Sequence, residues 1–460
     1  MKTKRIATLI IILSVTLLYP GKPAKAATPF RDLAAVSAVL AEAGTGEVLF
    51  GHNINRRHPA DALSKNMTLL LAVTACANYE ADPREIIEMT ESACTEYGAG
   101  DSPLLTPGEE ITLLDLMYCA YVGGSKEACN MIAEHISGSV GAFVTRMNAY
   151  AREIGCENTN FTNTHGQYNI NQYTTAMDQF SIHSEAIVNP LFAEISGTYR
   201  YTTAATNLSE PRTLVGSNSL LNTSGKYYFA PCMSGLASAT YEGGYSFVAF
   251  AEADELSLIS VVLGSDVIIL EDESTQMRNL TEARRLFEWG FSQFGWRTIL
   301  SSTELVDKAP VTDGAGADFV NLRPESSIRL VLDNDIPLEQ FVRDVTIYSV
   351  DRDEPLVAPV MAGDILGEIT ITYNGIKYGP IRLVANTNVE LHRLVFIKMQ
   401  IIELLSGKLA RIIIWTLSLL VVAYIALVVR YNVIRQKRLR RIKAAKRKLA
   451  EERQRQQRQD

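Results

Sequence analysis

The sequence predicts an α+β fold on three observations. Helical and strand-like segments are interspersed, neighbouring strands are joined as hairpins without regular βαβ crossovers, and the pattern turns to short alternating strands after Trp296. Residues 36–40 and 47–50 flank Gly44-Thr45-Gly46, which gives an opening β-hairpin. A helix follows in which Leu63, Met67, Leu70, Leu71 and Thr74 recur at helical spacing. Thr112 and Asp115 have the spacing of a capping box, opening a helix that runs through Val122. Gly123-Gly124 break the pattern before helices over 126–136 and 142–154. Strands return at 245–251 and 256–263, and a helix over 280–294 closes this part. Beyond it, strands at 328–332, 345–350, 367–373 and 381–384 make a small all-β domain ending near Glu390.

The 460-residue chain is 47% hydrophobic, enough to build more than one core. Residues 1–26 read as a secretory signal peptide: Lys2, Lys4 and Arg5 precede a short apolar run, and Ala24-Lys25-Ala26 supplies the cleavage spacing. A second apolar run, 412–429, carries no charge over its 18 residues and is bordered by Arg411 and Arg430, long enough to span hydrocarbon. Residues 430–460 hold 13 Lys/Arg against 3 Asp/Glu. That excess predicts a cytoplasmic tail, with everything upstream of the span exported. Against a whole-chain charge of −7, the tail contributes +10 and the signal peptide +5, so the exported part carries −22. The tail suits anionic lipid better than nucleic acid, since it holds no aromatic beyond Tyr431 and no folded module. The expected organisation is therefore a signal peptide (1–26), a first domain (27–296), a β-domain (297–390), a juxtamembrane amphipathic segment (391–409), a transmembrane helix (410–430) and a basic tail (431–460). The chain is expected at the cell membrane, crossing it once, with its N-terminal domains outside.

Six cysteines all lie in the first domain. Export permits disulfides, yet Cys76, Cys119 and Cys129 fall in apolar helical patterns that suit buried thiols, and the pairing stays open. No spacing of His and Cys suggests a metal site, and no cofactor is expected.

The chemically informative stretch is 59–71, which holds Lys65 at the mouth of an apolar helix. Three residues before it stands Ala62, where an S-x-x-K motif would have its serine. Around this stretch, the segments Ala43–Phe50, Asn53–Leu71, Ile132–Ser139 with Phe143 and Met147-Asn148, Asn160–Gly166, Tyr173–Asp178, Thr206-Asn207 and Ala358-Pro359-Val360 with Gly363-Asp364 and Gly367 resemble the serine-type D-Ala-D-Ala carboxypeptidases, the low-molecular-mass penicillin-binding proteins. The likeness runs from about 35 to 390. It implies a penicillin-binding-protein/β-lactamase-like domain, an antiparallel sheet flanked by helices, followed by the small β-domain and one transmembrane helix.

By that resemblance, three motifs surround one cleft. The serine of S-x-x-K attacks the peptide carbonyl with the lysine as base, S-x-N assists proton transfer, and K-T-G on an edge strand binds the terminal carboxylate and shapes the oxyanion site. Positions i and i+3 share a helix face, which is why serine and lysine take that spacing. Each motif is altered in this chain. Ala62 stands at the nucleophile and Lys65 at the base. Ser64 is no substitute, because adjacent helical residues diverge, and Asp61 suits a helix cap. The second motif falls on Gly124-Ser125-Lys126 and the third on Leu236-Ala237-Ser238, with Met233-Ser234-Gly235 as a shifted register that also lacks the lysine. His165 reads as a turn residue. His52, His58, His135, His183 and His392 form no recognisable triad with a serine.

Losing the nucleophile of a serine hydrolase costs on the order of a millionfold in rate. The leading expectation is thus a catalytically degenerate homologue that binds a peptidoglycan stem peptide or a cell-wall assembly protein. The competing reading is an active carboxypeptidase in which Ser125 attacks, Lys65 is the base and Lys126 anchors the carboxylate. Lys65 and Lys126 also have plain structural readings, as a leftover buried lysine and a solvated charge at a helix start. A third reading makes the β-domain the functional part and the first domain a spacer.

Overall fold

The computed structural model describes residues 30–95, 104–269 and 275–456. The expected signal peptide lies outside them. The chain divides into two compact units, one of residues up to Ile299 with Arg329–Gln340, the other of Leu300–Ile328 and Phe341–Asp460.

The first unit is built on a five-stranded antiparallel sheet. Its strands are β1 (Ser37–Glu42), β2 (Val48–His52), β3 (Cys232–Thr240), β4 (Gly244–Ala253) and β5 (Leu256–Ser265), in the spatial order β2-β1-β5-β4-β3. The order leaves β3 on an edge, and its register pairs Leu236 with Val248 and Ser238 with Ser246. Every residue of β1 is buried. Ala38 and Leu40 join the core on one face, whereas Val39 and Ala41 join the core on the other. Such a strand reads as a continuous apolar run because both faces are covered.

The helices are α1 (Ser64–Ala77), α2 (Leu113–Tyr121), α3 (Lys126–Ser137), α4 (Val140–Glu153), α5 (Ala176–Ile187), α6 (Pro190–Ser196) and α7 (Arg278–Gln293). Leu280, Ala283, Leu286 and Phe287 of α7 pack with Leu40, Phe247 and Leu258 on one side of the sheet. The remaining helices share the other core, in which α1 is buried nearly all round from Ser64 to Val73. Burying each large apolar side chain stabilises by about 1.5–3 kcal/mol. Helices α5 and α6 are not evident from apolar periodicity, but each has a capping residue: Thr175 accepts from Asp178 N, and Asn189 precedes Pro190 and accepts from Leu191 N.

In the second unit, β6 (Asp307–Thr312), β7 (Phe319–Pro324), β8 (Val342–Ile347), β9 (Leu356–Val357), β10 (Ile365–Tyr373) and β11 (Ile376–Ala385) form a sheet in the order β8-β10-β11-β7-β6-β9. Two expected strands differ. The segment predicted at 345–350 ends at Ile347, after which Tyr348–Asp351 form a helical turn. The strand Ile328–Asp333 pairs with Phe294–Leu300 and stands outside this sheet. A helix α8 (Arg393–Ser406) exposes Leu394, Phe396, Ile397, Ile401 and Ile402. It is followed by α9 (Lys408–Gln456), which carries the one stretch among the described residues long and apolar enough to cross a membrane. The basic segment after Arg430 continues the same helix to Gln456. Lys, Arg, Gln, Glu, Ala and Leu are good helix formers, and no Gly or Pro interrupts them after Gly407.

Candidate active site

The start of α1 departs from a simple capped helix. A 3-10 turn, Asp61–Leu63, precedes it, and Asp61 adopts φ +42, the left-handed region that residues with a Cβ rarely occupy. Asp61 does not cap the helix, contrary to the sequence expectation, because neither helix start has a side-chain cap. Its backbone twist carries the carboxyl to the β3–β4 hairpin instead. There Thr240 Oγ1 donates to Asp61 Oδ2 at 2.6 Å, and Gly243 N donates to Thr240 Oγ1 at 2.9 Å. Burial raises the Asp61 pKa above the ordinary carboxylate range, the Thr240 bond opposes this, and nearby Glu242 adds to it.

One helical turn on, Lys65 is buried and its Nζ donates to Gly124 O at 2.9 Å. Burial lowers the Lys65 pKa and Lys126 lowers it further, while Cys129 and Glu127 act in the opposite direction. Gly124 has φ +72, and a Cβ built there would lie 3.6 Å from Lys65 Nζ. The first and second motif positions therefore meet. Ser64 faces elsewhere: its Oγ accepts from Gln172 Nε2 at 3.2 Å in the interior.

Ser125 is the N-cap of α3, and its Oγ accepts from Ala128 N at 3.0 Å. Lys126 is the first residue of that helix and half-buried. A cation there opposes the helix dipole.

The third-motif positions lie on edge strand β3 and alternate between its faces. Leu236, the expected K-T-G lysine position, is 4% exposed and belongs to the helical-side core. Ala237 packs partly into the other core, and its N–H donates to Ser217 Oγ at 3.1 Å. Ser238 Oγ accepts from Ala62 N at 3.2 Å. Of the two possible registers, 236–238 is thus the one that meets the first motif. In the other register Met233 is exposed, while Ser234 Oγ lies 3.2 Å from His183 Nε2. His183 is fully buried, its Nδ1 has no partner, and burial holds its pKa down at about 3. This Ser–His pair lacks an orienting acid and an open approach, so it is no triad. Periodicity gave no sign of the His183–Ser234 contact, since the two residues are 51 apart in the chain and meet only through the packing of α5 on the sheet.

A cavity of about 900 Å³ opens beside Thr240, lined also by Tyr241, Tyr245, Ser265, Asp266 and Arg278. Among the described residues no group of three His, Cys, Asp or Glu is arranged to hold a metal. Cys119, Cys129, Cys156 and Cys232 are buried thiols, and burial pushes the first three up to about 12 and the last to about 11.

A helical cluster on one face of a five-stranded antiparallel sheet, with motif positions converging from α1, the α2–α3 turn and the edge strand, defines the penicillin-binding-protein class of fold. The match to known structures is in keeping with this. Penicillin binding protein 6B of Escherichia coli superposes with a TM-score of 0.59 at 21% identity, covering 79% of this chain and 98% of that one. Penicillin binding protein 5 of Haemophilus influenzae gives 0.57 at 24%, covering 79% and 99%. The sequence profile of the D-alanyl-D-alanine carboxypeptidase family matches residues 22–267, and the chain belongs to that family. DacF of Bacillus subtilis, a D-alanyl-D-alanine carboxypeptidase, is 26% identical over 342 residues, which is 74% of this chain and 82% of DacF. DacC of Escherichia coli, of the same name, is 26% identical over 371 residues, covering 76% and 83%.

Proposed function

We propose that this protein is a non-acylating member of the D-alanyl-D-alanine carboxypeptidase family that acts in peptidoglycan metabolism by binding or regulation, held on the outer face of the membrane by α9. The observation that carries the reading is Ala62 at the nucleophile position, beside a lysine whose ammonium is already bonded to Gly124 O. No hydroxyl stands where the S-x-x-K serine would, and Lys65 has no proton to take. The changes at Gly124 and Leu236 support the same conclusion, because neither side chain can shuttle a proton or anchor a carboxylate. Ser125 is a poor replacement nucleophile: capping α3 engages one of its lone pairs and holds its rotamer, whereas attack needs near-attack geometry at about 3–3.5 Å. For the membrane part, the 18 uncharged residues and the basic segment beyond them support a single span with its C-terminus inside.

The test uses the full-length protein in detergent, labelled with a fluorescent penicillin and assayed for D-alanine release from a pentapeptide. We expect neither adduct nor release. Covalent labelling that is lost in Ser125→Ala and kept in Ser64→Ala would overturn the reading in favour of the relocated enzyme.

A further inference from the structure

Three chain segments converge on Asp61-Ala62. The hairpin after β3 approaches so closely that a Cβ on Gly243 would lie 1.9 Å from Asp61 Oδ2. From the other side, a Cβ on Gly166 would lie 1.9 Å from Asp61 O and 2.6 Å from Ala62 N. The third segment is β3 itself, whose Ser238 takes the Ala62 N–H while Thr240 donates to the Asp61 carboxyl. Asp61 is 2% exposed, and its other carboxyl oxygen is buried without a partner.

These contacts fill the positions a peptide ligand would need. A backbone N–H at the nucleophile position is the kind of donor that faces a substrate carbonyl in acyl transfer. Here it already has an acceptor. An extended peptide adds to a sheet edge through the edge strand's free backbone groups. On β3, the Ala237 N–H is already spent on Ser217. A carboxylate-terminated ligand also seeks hydroxyl donors, and the Thr240 hydroxyl is given to a carboxyl from the protein's own chain.

We propose that Asp61, Ser238 and Thr240 form an internal latch that occupies the groove between the start of α1 and the edge of β3, and that the native protein consequently excludes D-Ala-D-Ala peptides from it. The proposal rests on the non-acylating reading above and narrows it: binding that survives in this protein uses another surface. Asp61 acts as a built-in occupant, and the strained φ at residue 61 is what brings its carboxyl there.

The probe is a blocked tripeptide ending in D-Ala-D-Ala, titrated against full-length protein in detergent and followed by ligand-observed NMR. Amide exchange at Ala62 is read by mass spectrometry in parallel. The native protein should give no saturable binding at millimolar peptide, with a protected Ala62 amide. The Ser238→Gly/Thr240→Val double variant should bind at least tenfold more tightly, and Ser238→Gly alone should speed Ala62 exchange at least tenfold. Thr240→Ser, which keeps the hydroxyl, should behave as the native chain. If the double variant melts early, Thr240→Val is read by the same criterion. Native protein that binds the tripeptide as tightly as the latch variant, or a folded variant that gains nothing, overturns the latch. Intact mass after penicillin treatment separates the two ideas, since an adduct on native protein sinks the non-acylating reading, and saturable peptide binding without an adduct sinks the latch alone.

Discussion

The two faces of helix α1 have different chemistry. On the interior face, polar groups are joined in chains. Tyr121 donates to Asn66 Oδ1 at 2.8 Å, Asn66 Nδ2 donates to Gln179 at 3.3 Å, and Gln179 Nε2 reaches Thr174. Thr68 donates to Thr164 O at 2.6 Å, and Thr164 Oγ1 donates to Asn130. On the cleft side, Ala62 in the 3-10 turn just before the helix offers no hydroxyl, and Lys65 donates to the Gly124 carbonyl. The contrast shows what each set of residues does for the fold. A buried polar group whose partner is removed is stranded at a cost of about 1–3 kcal/mol, so the interior face is tied to stability. A nucleophile and its base have no such bond to folding, and a buried lysine costs stability. On the proposed reading, residues on the cleft side change without disturbing the frame around them.

The largest expected effect lies on the interior face. Asn66→Ala strands both Tyr121 and Gln179 and should lower the unfolding free energy by about 4 kcal/mol, read by denaturant titration in detergent. A loss below about 0.5 kcal/mol would break the comparison. Leu236→Ala comes next. If the third-motif lysine position has become core, truncation should cost about 2–4 kcal/mol in the same titration, whereas a residue kept only for binding would be near neutral.

The third test is pH. His183 is held neutral, with a folded pKa of about 3 against about 6.5 unfolded. The unfolded chain therefore takes up the proton first on acidification. The contribution of His183 is complete above pH 6.5 and is lost progressively as pH falls toward 3, amounting to about 2–3 kcal/mol by pH 4.5. His183→Phe should remove that part of the acid destabilisation, seen as a shallower fall in stability between pH 7 and 4.5 than in native protein. The smallest effect belongs to the cleft face. Lys65→Met should be neutral or stabilising by up to about 1 kcal/mol. A loss of several kcal/mol would place Lys65 with the scaffold and erase the distinction between the faces.

Much of the frame is legible in the residues. The expected N-cap at Thr112 is formed, with Thr112 Oγ1 accepting from Asp115 N and donating to the Asp115 carboxyl. The family landmarks have physical tasks. Asn148 pairs in both directions with the Phe161 backbone, and Asp178 accepts from Asn158 N and Thr159 Oγ1. The site was legible by position and less so by contact. Asp61 reads as a cap from spacing because a carboxylate before a helix ordinarily takes that role, whereas the segments that crowd it, at Gly166 and Gly243, are distant in the chain. Helix α5 escaped periodicity because buried polar residues, Gln179 and His183, interrupt its apolar face.

Taken alone, the sequence determined the family, the apolar cores and the span-length run at 412–429, and it places alanine at 62 and leucine at 236, where the resemblance expects serine and lysine. Those follow from residue type and local spacing, which do not depend on partners far along the chain. Only the tertiary structure decided what the remaining polar groups do. Whether Asp61 caps the helix or crosses to Thr240 depends on a hydrogen bond between residues 179 apart in the chain. A hydrogen bond is decided by distance and direction in space, and no local pattern encodes either.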